Sequence, residues 1–81
     1  MTDDEAVTLL AAALQEVAPE ADLGAVDAGQ PLQDVLDIDS RDFLTLVAAI
    51  QRRAGLTIAP ADYPRLATVG SLVSYLAEKA G

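Results

Sequence analysis

The 81-residue sequence contains no cysteine, no histidine and no tryptophan. Zinc therefore lacks its usual nitrogen and sulfur ligands, and the chain offers no disulfide, no cysteine nucleophile and no histidine acid or base. No stretch approaches the roughly 20 apolar residues that span a bilayer, and the acidic start is the opposite of the cationic beginning of a signal peptide. These absences exclude most small-enzyme chemistry and favour a cytoplasmic protein without a membrane segment.

Basic residues are also scarce, with five against 13 acidic ones and a formal charge of −8. Repulsion from phosphates opposes nucleic-acid binding, and the acidic excess indicates protein partners with basic faces. Hydrophobic residues nevertheless make up 52% of the chain, which predicts a folded domain instead of a disordered acidic tail. A chain of this length supports one small core, so we expect a single monomeric domain over residues 1–81.

The first helix is predicted over Thr2–Val17, because apolar residues recur at helical spacing and Thr2-x-x-Glu5 has the form of a capping box. Pro19 stops this helix. Its predicted apolar stripe consists of Val7, Leu10, Leu14 and Val17.

A second long helix is predicted over Ser40–Ala54, with Asp39 as its N-cap and Gly55 as its C-terminal stop. Leu44 and Leu46 are expected to widen its apolar face. The stripe itself consists of Phe43, Val47, Ile50 and Ala54.

The remaining segments are shorter or less regular. A long connection over residues 18–37 has scattered apolar side chains that should pack over the core, and it allows a short helical turn around Pro31–Leu36. Two prolines confine any third helix to a single turn or an irregular bend, for which Asp62–Leu66 is the candidate. The last helix begins after Thr68, its predicted N-cap, and ends near Lys79 and Gly81. The predicted fold is an all-α four-helix bundle, with three longer helices, one short helix and a long first loop.

The abundant carboxylates do not form a recognisable metal or catalytic site. Asp37-x-Asp39 begins like a calcium loop, but Arg41 takes the next ligand position, Asp42 replaces the turn glycine and Ala48 replaces the closing glutamate. A catalytic pair of carboxylates would need a substrate cleft that a domain of this size can hardly build. We therefore predict no metal site and no catalytic residues.

Ser40 is the one candidate for chemistry, since it stands at the first turn of the second long helix, directly after the acidic cap Asp39. Free N–H groups and the helix dipole at that end would stabilise a phosphodiester on its Oγ, and Arg41 adds a local cation. Taken alone, the dipeptide is better explained as a helix cap without any modification, because both residue types cap helices well.

The surrounding pattern resembles the acyl carrier protein family, short acidic four-helix bundles with an Asp-Ser-Leu motif at the start of the second helix. The resemblance runs without a gap over Leu36–Leu76 and extends more loosely over nearly the whole chain. Besides Asp39-Ser40, it rests on Leu46, Val47, Ile50, Ile58, Leu66, Thr68, Val69, Leu72, Val73, Tyr75 and Leu76.

The resemblance implies that Ser40 carries 4′-phosphopantetheine, transferred from coenzyme A by a phosphopantetheinyl transferase, with Asp39 and Arg41 beside it. The terminal thiol of this arm would hold acyl intermediates as thioesters for enzymes of fatty-acid, polyketide or related biosynthesis, which also accounts for the missing cysteine. The protein itself would catalyse nothing. Candidates for an acyl slot between the helices, for which core packing is an equal explanation, are Phe43, Val47, Ile50, Ile58, Tyr63, Leu66 and Leu72.

Two departures from the family pattern concern partner choice. Arg41 stands where the family usually has Leu or Met. In typical carriers of fatty-acid synthesis, the second helix carries a run of glutamates that meets basic patches on partner enzymes. The matching positions of this sequence hold Thr45, Gln51, Arg52 and Arg53. We therefore expect a specialised stand-alone carrier that serves a dedicated pathway.

The acidity is concentrated in one half of the chain. Residues 1–42 carry 11 acids and one arginine, a net charge of −10, whereas residues 43–81 carry two acids and four bases, a net charge of +2. Partners would then meet an acidic loop on one side of Ser40 and a mixed or basic helix on the other.

Two alternatives stay open. The cargo could be an aminoacyl or D-alanyl group, although Ile38-Asp39-Ser40 favours acyl cargo over the Gly-Gly-His-Ser type of motif found in peptidyl carriers. The chain could instead be a helical adaptor that receives no prosthetic group, with Ser40 acting only as a cap.

Overall fold

The computed structural model describes residues 1–80 and confirms the predicted all-α bundle. Within that range the only extended pairing is an isolated bridge between Pro31 and Thr68. Gly81, near which the last helix is predicted to end, lies outside the described residues. The helices are α1 (Asp3–Val17), α2 (Leu32–Leu36), α3 (Ser40–Ala54) and α4 (Val69–Ala80), with 3₁₀ segments at Leu23–Ala25 and Pro60–Leu66.

The helices begin at the predicted caps. Thr2 Oγ1 accepts from the Glu5 N–H (3.1 Å) and Glu5 Oε1 accepts from the Thr2 N–H (2.9 Å), which completes the capping box of α1. These bonds hold the pKa of Glu5 below its ordinary value. Thr68 Oγ1 accepts from the Ser71 N–H (3.1 Å) at the start of α4, and α3 ends at Gly55, whose φ of 67° suits glycine.

The core lies between α1, α3 and α4. The prediction of its members is wrong at two positions, since Val7 is 40% exposed and Leu44 is 51% exposed. On α1 the small side chains of Ala6 and Ala13 turn inwards instead and are fully buried, which lets the helices approach closely.

The long connection packs over the core as predicted, with Val26 and Leu32 buried. It is tied to the start of α4 by the Leu32 N–H to Ala67 carbonyl bond (2.8 Å) and the Gly70 N–H to Ala28 carbonyl bond (2.9 Å). A Cβ at position 70 would lie 3.0 Å from that carbonyl oxygen, so the close approach depends on glycine. The loop is thereby held against the bundle at the end that leads to α2.

The 3₁₀ segment before α4 is held by Tyr75, which is 1% exposed and donates its hydroxyl to Asp62 Oδ2 (2.8 Å). The pKa of Tyr75 is raised mainly by burial of the hydroxyl and, to a smaller extent, by its hydrogen bond to the Asp62 carboxylate. Arg65 and Lys79 lie over its ring at 5.1 and 5.8 Å, and Arg65 also pairs with Glu78 (2.6 Å). This cluster fixes the 3₁₀ segment to α4.

The C-terminal ends of α1 and α3 are joined by Glu16, which accepts from both Arg52 and Arg53, the latter at 2.5 Å. The hydrogen bond from Arg53 has the largest effect on the pKa of this carboxyl and the one from Arg52 the next largest, and both lower it below its ordinary value of 4.5. The contribution of this ion pair to the stability of the fold is therefore fully present above pH 4.5, and it is lost as the pH falls through the lower pKa that Glu16 has in the folded state.

We expect Glu16→Gln to lower the midpoint of urea unfolding at pH 7, and the difference from the parent protein to vanish at a pH below the folded-state pKa of Glu16. Salt should also reduce the difference, because the pair is partly exposed. Glu20→Gln, at an exposed position outside the ion pairs described for residues 1–80, is the control. An effect of Glu16→Gln that persists unchanged at low pH would show that the charge pair is not its cause.

Candidate functional site

Ser40 is the first residue of α3, and it is exposed. The preceding residue is the predicted N-cap: Asp39 Oδ1 accepts from the Asp42 N–H (2.8 Å), and the Asp39 carbonyl accepts the first intrahelical bond from the Phe43 N–H (2.9 Å). The N–H groups of Ser40 and Arg41 come before that first bond and have no helical acceptor. The serine hydroxyl is thus held at the positive end of the α3 dipole.

A tight turn delivers the chain from α2 into this position. Asp37 adopts the left-handed conformation (φ 53°, ψ 45°), which aspartate tolerates better than most residues, and the Ile38 N–H donates back to the Gln33 carbonyl (3.1 Å). Ile38 is buried and anchors the turn in the core. Asp39 and Ser40 follow directly, so their placement is set by the packing of the residues before them.

The charges around Ser40 are mixed, as predicted. Arg41 is exposed and forms no ion pair within residues 1–80. The arginines at the other end of α3 are bonded to Glu16, so they are less available to a partner than the sequence implies. Arg41 is therefore the cation of α3 that is free to meet an anion beside the serine.

The residues predicted to line an acyl slot belong to the core or pack against it, and none of them lines any of three surface grooves found on residues 1–80. Tyr63 is half-buried and packs against the core, and the others are buried members of it. Those members are Phe43, Val47, Ile50, Ile58, Leu66 and Leu72.

Two of these surface grooves were not predicted from the sequence pattern, and Ser40 itself lines neither of them. The serine groove, of about 470 Å³, is lined in part by Glu20, Ala21, Leu36, Asp37, Ile38 and Asp42. The loop groove, of about 600 Å³, lies between α1, the long connection and α4, and its lining includes Val7, Leu14, Ala21, Leu23, Val26 and Val69. The scattered apolar residues of the connection were the only sequence signal for either groove.

The Asp39 cap is open to a direct test. We expect Asp39→Ala to lower the free energy of unfolding by about 1 kcal/mol, because it removes the acceptor of the Asp42 N–H. Asp39→Asn, which keeps an acceptor oxygen, should cost much less, and urea unfolding of the two variants makes the comparison. Equal stability of Asp39→Ala and the parent protein would contradict a role for this side chain in starting α3.

Comparison with known proteins decides the family. A family model described as "Phosphopantetheine attachment site" matches residues 7–76. An acyl carrier protein of Renibacterium salmoninarum is 38% identical over 61 residues, which cover 75% of this chain and 70% of the relative. The chain belongs to the acyl carrier protein family. Such proteins carry covalently attached 4′-phosphopantetheine and are carriers, not catalysts.

The residues at the start of α3 fit this group chemically. A phosphopantetheine arm is linked through a phosphodiester, which needs an accessible hydroxyl and a setting that tolerates a negative charge. Ser40 provides the exposed hydroxyl, and the free N–H groups of the first turn together with Arg41 provide hydrogen-bond donors and one cation among the mixed charges there. Within residues 1–80 no group of acidic side chains could hold a metal ion, and no helix is long and apolar enough to cross a membrane.

Proposed function

We propose that Ser40 is the residue of this acyl carrier protein that receives 4′-phosphopantetheine from coenzyme A by the action of a phosphopantetheinyl transferase. The observation that carries the proposal is the exposed hydroxyl at the first turn of α3, directly after the capping Asp39. The other serines are less suited: the Ser71 hydroxyl is bonded to Thr68 (2.9 Å), and Ser74 lies inside α4, away from a helix end.

The chain's own residues then hold and orient the attachment point. The Asp39 carboxylate fixes the first turn of α3, so the backbone at Ser40 keeps one position relative to the bundle. On modification the Ser40 Oγ forms a bond to the pantetheine phosphorus of coenzyme A, the pyrophosphate bond of coenzyme A breaks, and adenosine 3′,5′-bisphosphate leaves as the serine loses its hydroxyl proton. The negative charge of the resulting phosphodiester is favoured by the helix dipole and by Arg41. When bound, the arm supplies a terminal thiol that holds acyl groups as thioesters.

We infer further that this monomeric, cytoplasmic carrier serves a dedicated biosynthetic pathway. Support comes from α3, which has no carboxylate after Asp42 and presents Arg41 next to the attachment site. Nine of the 13 acidic residues lie instead in α1 and the connection over residues 18–37. A partner enzyme adapted to it would carry a cation facing the acidic loop and an anion facing Arg41. A housekeeping fatty-acid ketosynthase should bind this carrier more weakly than a carrier with an acidic second helix. Equal affinity of the ketosynthase for the two carriers would remove the inference.

Mass spectrometry tests the attachment. After coexpression with a broad-specificity phosphopantetheinyl transferase, the intact chain should gain the mass of phosphopantetheine, and peptide mapping should place the addition on Ser40. No added mass would favour the adaptor alternative, in which Ser40 only caps the helix. Loading of the modified chain from a cell extract, followed by identification of the released group, would distinguish an acyl cargo from an aminoacyl or D-alanyl cargo.

A further inference from the structure

Asp37 is the only residue other than glycine that has a positive φ within residues 1–80. Glycine adopts this left-handed conformation (φ 53°, ψ 45°) freely, whereas any residue with a Cβ adopts it only with backbone strain. The Asp37 carboxylate is exposed, and within the same residues it has no hydrogen-bond or ion-pair partner. No polar contact of the side chain therefore explains why the strained conformation is kept.

The backbone at this position makes the turn that separates α2 from α3. The N–H groups of Asp37 and Ile38 both donate to the Gln33 carbonyl, the latter at 3.1 Å, which is the arrangement that ends many helices at a left-handed residue. Ile38 is thereby directed into the core, where it is 8% exposed. The next residue is the Asp39 cap, and Ser40 follows it.

A change of backbone conformation at Asp37 would fall on the residues that carry the serine. Phe43 and Leu46 are buried, so α3 is fixed in the core from its second turn onward. Residues 38–42 would therefore have to absorb the change. Ser40 is three residues away, up to about 10 Å along an extended chain, so a rotation of about 30° at Asp37 would move it by up to about 5 Å.

We propose that Asp37 is a positioning residue for the transfer of phosphopantetheine: its left-handed backbone, and not its carboxylate, holds the Ser40 hydroxyl in the orientation that the transferase requires. This inference rests on the proposed attachment to Ser40. A displacement of about 1 Å between reacting groups can slow a reaction about 100-fold. The loss would appear in kcat, because orientation acts in the bound complex, whereas loss of a surface charge that only aids binding would appear in KM.

The other end of α3 provides a matched control. Gly55 has nearly the same conformation (φ 67°, ψ 33°), and the N–H groups of Gly55 and Leu56 both donate to the Gln51 carbonyl, at 2.9 and 3.3 Å. A Cβ at position 55 would meet no atom within 4 Å, so a side chain there adds backbone strain without a clash. Because this turn follows the helix that Ser40 begins, strain in it affects stability and leaves the serine in place.

The test compares valine at the two turns, because a β-branched residue strongly disfavours the left-handed conformation. Asp37→Val and Gly55→Val should both lower the midpoint of urea unfolding. With purified transferase and coenzyme A, followed by intact-mass spectrometry, Asp37→Val should lower kcat about tenfold or more, whereas Gly55→Val should leave it close to the parent value. Asp37→Gly and Asp37→Asn, which suit the left-handed turn, should keep the kcat of the parent.

The variants without the carboxylate separate backbone conformation from charge. A fall of kcat in Asp37→Asn and Asp37→Gly as large as that in Asp37→Val would show that the transferase reads the carboxylate, and would overturn the proposal. Equal falls of kcat in Asp37→Val and Gly55→Val would make stability the cause, with the same consequence. An unchanged kcat in a folded Asp37→Val would also overturn it.

Alanine serves at both turns if a valine variant does not fold, since circular dichroism reports folding before each assay. Asp37→Ala should then have a lower kcat than Asp37→Gly, and Gly55→Ala should match the parent; equal values for Asp37→Ala and Asp37→Gly would contradict the positioning role. Loss of the positioning effect in a chain that is still modified on Ser40 removes this inference alone. Failure of the parent chain to gain phosphopantetheine removes the proposed function as well.

Discussion

Ser40→Ala should abolish the addition of phosphopantetheine completely, the largest effect that any single substitution is expected to have on function. The phosphodiester requires a hydroxyl oxygen, and among the three serines only Ser40 combines exposure with a place at the start of a helix. The measurement is intact-mass spectrometry of the variant after coexpression with a broad-specificity transferase, compared with the parent chain under the same conditions.

Two controls separate loss of the attachment point from loss of the fold. Ser74→Ala, at an exposed position inside α4, should be modified to the same extent as the parent chain. Ser40→Ala itself should unfold within about 0.5 kcal/mol of the parent, because Asp39 and not Ser40 provides the cap. A full mass gain in Ser40→Ala would place the attachment elsewhere and end the proposal for this residue.

The parts of the fold that the sequence predicted correctly are those set by local chemistry. Thr2, Asp39 and Thr68 were identified as caps because a side-chain oxygen must meet N–H groups that the first turn leaves free, and each does so in the structure. The stop at Gly55 follows in the same way from its left-handed conformation. The candidate serine was found for the same reason, since its position depends on the cap beside it.

The parts that the sequence did not predict depend on how the elements lie together. Helical spacing alone could not distinguish Leu44 from Leu46, because both fall near the edge of the apolar stripe of α3 and only the position of α1 decides which is covered. The grooves arise where the connection crosses α1 and approaches α4, and no periodic pattern describes that crossing. The pairing of Glu16 with two arginines 36 and 37 positions away is likewise invisible in a local pattern.

Leu46→Ala should destabilise the protein by about 2–5 kcal/mol, whereas Leu44→Ala should change its stability by about 0.5 kcal/mol or less. Both substitutions remove the same atoms from α3 at positions two residues apart, and both replace leucine by a slightly better helix former, so helix propensity does not explain a difference. The difference comes from burial, since Leu46 has no exposed surface and Leu44 is 51% exposed.

Small domains unfold with a free energy of about 5–15 kcal/mol, so the loss at Leu46 is a large fraction of the total. Urea unfolding followed by circular dichroism measures both variants, and a shift of the midpoint with an unchanged slope would show that the folded state alone has lost stability. Comparable losses at the two positions would mean that Leu44 is covered in solution, by another part of the chain or by a second copy. Because Leu44 lies one turn beyond Ser40 on α3, such a result would also place the covering surface beside the proposed attachment site.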